Sequence, residues 1–535
     1  MRKISILLFA ILMPVSTAFA QETYENGNIT GGDLNGTARY VGMGGAMDAL
    51  GADLSTVSSN PAGTALFRRS AAAITMGYTK QTDVEKFADG KKNTFNFDQA
   101  GFVISKKMSD DLMINFALNY HQSRNFNQIL QAAGQMADGS SQGRVSYDKG
   151  YFGGIVGGND IYPNASHPIG EEVYSNNYAF NQLDWLYYNS VVYNPNIDPV
   201  NPFVYHGALL YDYGKAQRGF ISDYDLNISA NLNDRFYAGI TFGIKDVHYR
   251  SYSEYAELYG WNTPNLGGIL LEDHRKISGT GLDMAVGIIV RPIDASPFRV
   301  GLSVKSPTIY DLKSENYTAM FVDTRNANSQ YLGPSGLDIS NSYKFSLYTP
   351  WQFGLSVGHT VGKELALGAS VEYADYRYTN NRIDDYVDYG VYDPYEDYTH
   401  ADAVMNHNTK DVMRGVFTFK VGGEYKIIPE LALRLGYNYL TPKYSSDGFK
   451  DGSLYSVGNN FMSTTEYTNW GSTSRITAGL GYSHKQFSLD LAYQYTQTKG
   501  TFYPYFDKFD ADNYATSADV YNKRHHMMMT LSYRF

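Results

Sequence analysis

Residues 36–67 read GTARYVGMGGAMDALGADLSTVSSNPAGTALF. The stretch is dense in glycine and small side chains, shows no strand-like alternation, and closes on Asn60-Pro61-Ala62-Gly63. Glycine takes positive φ and packs closely in a confined space. Pro61 fixes its own φ and pushes Asn60 away from helix, which makes a stiff joint. The stretch reads as a plug, and the remainder of the chain reads as the wall that the plug fills.

From Ser70 onward, runs of ten to fifteen residues alternate apolar with small or polar side chains. In the last run Met527, Met529, Leu531, Tyr533 and Phe535 share one face, with Met528, Thr530, Ser532 and Arg534 on the other. The rhythm recurs in Phe487 to Tyr495, Leu431 to Tyr439 and Phe236 to Ile244. One face in lipid and one in a lumen is the pattern of a transmembrane barrel strand. Such runs cover 70–80, 95–107, 112–125, 218–232, 235–250, 276–291, 298–310, 343–360, 364–379, 414–428, 431–442, 472–484, 486–499 and 522–535. The expected fold is all-β, a transmembrane antiparallel barrel of about fourteen strands with a small N-terminal hatch inside the lumen. An even count suits a closed single-chain barrel.

Short turns at Ser109 to Asp111, Asn233-Asp234, Asp294 to Pro297, Gly362-Lys363, Pro429-Glu430 and Lys485-Gln486 alternate with long tyrosine-rich connections. The long ones are 126–217, 251–275, 311–342, 380–413, 443–471 and 500–521. Strict alternation matches periplasmic turns and external loops, with both termini periplasmic. The composition agrees: 48 Tyr, 28 Phe and 51 Gly, with charged residues at only 18%. A net charge of −10 excludes the basic footprint of a nucleic-acid binder. The absence of cysteine excludes disulfides and thiolate chemistry.

Residues 1–20 carry Arg2-Lys3, an apolar core over Ile4 to Met13 and Ala18-Phe19-Ala20, the pattern of a secretory signal peptide. The chain therefore divides into a signal peptide (1–20), a hatch (21–69) and a barrel (70–535), addressed to the outer membrane of a Gram-negative bacterium.

The glycine-rich lead (Gly36-Thr37-Ala38, Gly42, Gly44, Gly45), the Ala52-Asp53-Leu54-Ser55 step and Asn60-Pro61-Ala62 just before the first strand together resemble the FadL/TodX/OmpP1 family of fatty acid and hydrocarbon transporters, in the style of its Bacteroidota members. The resemblance implies an N-terminal hatch within a fourteen-stranded barrel and a lateral exit through a kink in the third strand. Here that strand is Leu112 to Arg124, where Asn115 and Asn119 face inward and could satisfy backbone groups at an opening. Helix-like apolar spacing in Phe126 to Met136 and Tyr178 to Val192 suggests two amphipathic loop helices. They would capture ligand in a groove of Phe126, Ile129, Leu130, Phe180, Leu183, Leu186 and Tyr187, or simply pack the loops together.

Three look-alikes carry less. Gly354-Leu355-Ser356-Val357-Gly358 matches G-x-S-x-G but lies mid-strand, away from the strand–turn–helix that hydrolases need. His525 and His526 are adjacent on a strand and point to opposite faces. Asp384, Asp385, Asp388, Asp393, Glu396, Asp397 and Asp402 form an acidic loop that reads as solvated, with a Ca²⁺ bridge to lipopolysaccharide as the sharper alternative. The sequence thus points to a non-enzymatic channel without metal or cofactor, taking up hydrophobic small molecules by passive diffusion. Its expected partners are that ligand, outer-membrane lipid and lipopolysaccharide. The alternative is a related barrel serving as a subunit of a larger complex with outer-membrane protein partners.

Overall fold

A computed structural model describes residues 22–137, 140–152, 174–175, 178–192, 203–260, 266–324, 336–386, 397–509 and 516–535. One sheet closes on itself. Its spanning strands are β1 (Ala71–Thr82), β2 (Asn93–Lys107), β3 (Leu112–Asn125), β4 (Ala208–Leu232), β5 (Phe236–Tyr259), β6 (Leu266–Val290) and β7 (Arg299–Lys305). They continue with β8 (Gln352–Val361), β9 (Leu365–Asp375), β10 (Gly415–Ile428), β11 (Leu431–Leu440), β12 (Tyr467–His484), β13 (Phe487–Tyr503) and β14 (Ala518–Arg534). Each pairs antiparallel with its neighbours, and β1 zips against β14 from Ala71↔Arg534 to Thr82↔Lys523. Fourteen spanning strands close the barrel, in agreement with the sequence alternation.

The alternation decides which side faces out. Met527, Met529 and Leu531 are about half exposed, while Met528 and Thr530 between them are 3% and 1% exposed. The outward band continues through Phe242, Ile244, Leu282, Leu433, Leu435, Leu480 and Leu491. No described helix is long and apolar enough to cross a membrane; the strands do the spanning.

The long connections hold more strand than expected. β4, β5 and β6 run for 25, 24 and 25 residues, well past the apolar band, so 251–259 and 266–275 are strand and not loop. The segments Ile309–Thr324 and Gly336–Tyr348 extend the same wall. Beyond the band, tyrosines take over the inward alternate positions, as Tyr211, Tyr213, Tyr249, Tyr255 and Tyr259 are all buried. There aromatic residues alternate with charged ones, a composition that a polar loop shares. Phe126 to Met136 is also corrected: Gln128–Gln135 pairs with the outer part of β4 as a strand, whereas Gln182–Tyr187 is the expected helix.

Candidate functional site

Residues 36–67 lie inside the barrel. Ala38, Val41, Met43, Met47, Val57 and Ala62 are fully buried or nearly so, and Leu34 to Leu50 packs against Ala492 and Met528 of the wall. The fit is backbone to backbone. A β-carbon on Gly422 or Gly436 would overlap the Met43–Gly44 main chain, and one on Gly368 would overlap the Ala46 carbonyl oxygen. Glycine on the inner wall is what lets the hatch sit flush. Within the hatch, Gly44 and Gly45 hold φ of 64° and 79°, a region that side chains disfavour.

Polar bonds then fix its place. Arg39 grips Glu424 with two bonds, Nε to Oε2 at 2.9 Å and Nη2 to Oε1 at 3.0 Å. Arg434 joins Glu424 to Asp490, each at 2.6 Å. Such bidentate charge-assisted pairs are the strong kind. Thr37 Oγ1 donates to Asp53, Ser55 Oγ to Gln99, and the Ala38 amide to Thr530.

The sequence motif serves the end of the hatch. Asn60 caps the 3₁₀ helix Pro61–Leu66 by accepting from the Ala62 amide, and a β-carbon on Gly63 would clash with Thr56. Asn115 Nδ2 donates to the carbonyls of Thr64 and Phe67, so it holds the hatch to the wall and serves no wall backbone group. Asn119 accepts from Gln99 Nε2 at 2.7 Å. Both face inward, as expected of alternate positions on β3.

The ladder between β2 and β3 runs from Lys107↔Met113 only to Gln99↔His121. Above that pair the edges part: Asn93 to Asp98 pairs with β1 alone or bulges, and β3 shifts register against β4 between Gln122 and Arg124. The hatch covers the exposed edge. The Asp33 amide donates to the Ser123 carbonyl at 2.8 Å, and the Asn125 amide donates to Asp33 Oδ2 at 2.9 Å. Asn35 Nδ2 reaches both sides, donating to Asp98 Oδ1 at 3.1 Å and to the Gln122 carbonyl at 2.9 Å. Asn125 and Asn96 also meet across the gap, at 3.1 Å. His526 on β14 faces inward to Asp98 at 3.2 Å, while His525 points away to Tyr493. Sequence reasoning missed Asp33 and Asn35. No local motif marks them, because their partners are 63 to 92 residues away in the chain.

Two cavities of ≈ 230 Å³ each lie in the lumen, one on either side of Gly31 to Asp33. The inner one touches His121 and Ser123 on the lumen side of the gap. The outer one is bounded by Phe126, Leu130 and Trp470, but also by Arg124, Lys443, Arg475 and Arg524. Glu22, Glu25, Asp33 and Glu466 share the lining, so the cations are only partly balanced. Burial would raise the Asp33 carboxyl, but the guanidiniums of Arg124, Arg524 and Arg475 hold it below its usual range. Lys443 donates to the Gly27 and Thr30 carbonyls and the Thr30 hydroxyl; burial first, then Arg124, pushes its ammonium pKa well down. The outer cavity is therefore a mixed surface with a small excess of cations over carboxylates.

The expected capture residues divide. Phe126 and Leu130 line the outer cavity, but Ile129, Leu183, Leu186 and Tyr187 are at most 2% exposed. Leu183, Leu186 and Tyr187, with Phe180 against them, form the core of a cap in which Lys149 pairs with Asp184 at 2.6 Å. One of the two expected loop helices is a strand, so among the described residues these two segments form no groove between helices. Residue 22 also lies at the long-connection end, where Thr23–Ile29 packs under the helix Ala403–Val412, with Tyr24 stacked on Tyr444 at 5.2 Å. Phe535 lies at the short-turn end, its amide donating to the Ser70 carbonyl. The first described residue and the last thus sit at opposite ends, against the expectation of two termini on one side. Of the acidic loop, Asp388, Asp393 and Glu396 lie outside the described residues, and Asp402 caps the helix 403–412. Ser356 is buried mid-strand, as its alternation requires.

No family model and no curated protein matches the chain. Among solved structures it is similar to a Pseudomonas aeruginosa FadL homologue, at 13% identity and a TM-score of 0.49 over 94% of this chain and 99% of that one. It is similar also to the Pseudomonas putida toluene transporter TodX, at 11% identity and a TM-score of 0.45, and to the Ralstonia pickettii toluene transporter TbuX, at 10% and 0.45, each over 94% of this chain and 99% of the other.

Proposed function

We propose that the chain is a passive outer-membrane channel for hydrophobic small molecules, with the long-connection end outward and the interruption between β2 and β3 as a lateral exit. Apolar cargo released into water costs about 0.8 kcal/mol per CH₂, so a route that ends in lipid is favoured over one that ends in the periplasm. The observation that carries the reading is the broken ladder above Gln99↔His121, sealed by hatch residues Asp33 and Asn35 instead of by strand. Cargo would enter past Phe126 and Leu130, rest in the outer cavity and leave sideways when segment 33–35 shifts. The cations around that cavity favour an amphipathic cargo with an anionic head. The resemblance of the hatch residues to the FadL/TodX/OmpP1 family points the same way.

The chain has no cysteine, so paired cysteines report cleanly. Cross-linking Asn96→Cys to Asn125→Cys across the gap should abolish uptake of a spin-labelled fatty acid into vesicles, and reduction should restore it. Undiminished uptake in the cross-linked barrel would overturn the lateral route.

A further inference from the structure

The outer face of the wall carries a cationic row beside the gap between β2 and β3. Arg218 on β4 stands opposite Arg250 on β5, and Arg250 stands opposite Lys276 on β6, all three pointing outward in one cross-strand row. Lys313 and Lys344 oppose each other in the row below it. Like charges directly opposite one another weaken a sheet. Internal neutralisation is partial: Arg218 pairs with Asp89, and Glu315 serves both Lys276 and Lys313 at 2.7 and 2.6 Å. Arg250 and Lys344 make no ion pair among the described residues.

The height of the row is informative. Tyr224, Ile244 and Leu282 end the outward apolar band, and Arg218 lies six residues beyond Tyr224, about 20 Å along the strand and less in height because strands tilt. Beside the row the apolar surface climbs higher. Phe95 is 88% exposed and Phe97 and Phe220 are partly so, and they wall an external groove of ≈ 910 Å³ whose other side is Arg218, Arg250 and Lys276. Aromatic surface continuous with the lipid band, ending on unpaired guanidinium, is complementary to one kind of molecule. Its tail lies in the membrane and its head carries phosphate.

We infer that this groove binds a phosphorylated lipid of the outer leaflet, with acyl chain against Phe95, Phe97 and Phe220 and phosphate on Arg218, Arg250 and Lys276. The inference rests on the outward orientation of the long connections, and the groove adjoins the proposed exit, since Asn96 and Gln122 at the gap also line it. Guanidinium suits phosphate because its fork donates two parallel bonds.

The test uses full-length, delipidated barrel in detergent, titrated with a diphosphorylated diglucosamine lipid and with its dephosphorylated counterpart, and read by native mass spectrometry. The wild type should prefer the phosphorylated form by at least about tenfold, the equivalent of one charge-assisted bond. Arg218→Gln/Arg250→Gln/Lys276→Gln should lose that preference, while Lys363→Gln/Lys426→Gln at the short-turn end should keep it. Glu315→Gln, which removes a competing carboxylate, should strengthen it. Should the triple variant fail to fold, Arg250→Gln alone should weaken the preference severalfold, since Arg250 has no ion pair to lose. Equal binding of the two lipids by the wild type, or a full preference in the substituted row, would overturn the inference. Asn35→Ala, which changes the hatch side of the gap and no residue of the groove, should still bind the phosphorylated lipid, so a change in transport and a loss of lipid binding are separate results.

Discussion

Asn35 Nδ2 donates to the main-chain carbonyl of Gln122 at 2.9 Å, across a place where β3 has no β2 partner. A plug side chain thus does the work of a missing strand bond. The same amide group reaches Asp98, so one residue holds both lips of the gap. Asn35→Ala should leave both acceptors unbonded and raise the rate of fatty-acid uptake about fivefold, the value of roughly one net hydrogen bond. Stopped-flow uptake into vesicles checks it, and an unchanged rate would detach Asn35 from gating.

The wall glycines make a second prediction. Gly436→Val puts a side chain where Met43 and Gly44 run, so the hatch must shift while the outward strand pattern stays intact. The barrel should still fold and resist heat in detergent, but pass small hydrophilic solutes that the wild type excludes. Planar-bilayer conductance measures this, and a silent Gly436→Val channel would show that the hatch seals by other means.

Lys443 supplies a pH test. Burial and the neighbouring Arg124 lower its ammonium pKa, so it loses its charge at a lower pH than an ordinary lysine. A cation lost on raising pH means an anionic ligand lost with it. Affinity for an anionic amphiphile should fall as pH rises through a range well below that of free lysine. In Lys443→Arg, whose charge persists, the curve should flatten. Fluorescence titration with a labelled fatty acid tracks both.

The loop cap carries a second pH dependence, in the same direction but from a carboxyl. Burial first, then the adjacent Asp148, pushes the Asp507 carboxyl up to about 7. A carboxyl raised in the folded state favours docking when protonated. The contribution is complete below the ordinary carboxyl range, near pH 4, and is lost as pH rises through about 7. Protection from hydrogen exchange over 142–152 and 503–509, taken relative to the intrinsic rate at each pH, should therefore be greater at pH 5 than at pH 8, with the difference reduced in Asp507→Asn.

The barrel is legible in the sequence because lipid imposes a rule on every second residue, and Met527 to Tyr533 obeys it. The plug is legible because Gly44, Gly45 and Pro61 mark backbone that no strand would use. Above the membrane the rule changes. Tyr249 and Tyr255 still alternate with Arg250 and Glu254, yet the outward side chains are charged, so strand there resembles loop. The seal at the gap is invisible for another reason. Asp33 and Asn35 are ordinary polar residues until folding brings β3 beside them. Apolar spacing reveals the cap helix, but spacing alone does not say whether Leu186 faces a ligand or Tyr255, and it faces the core.

The flush fit between hatch and wall has a consequence for how the hatch is held. Residues 22–29 lie beneath the cap, 36–67 fill the lumen, and Ala71 begins the seam with Arg534 only a few residues later. The hatch therefore leaves the lumen directly into the closing stave, so its end is anchored at the one place where the two ends of the sheet meet.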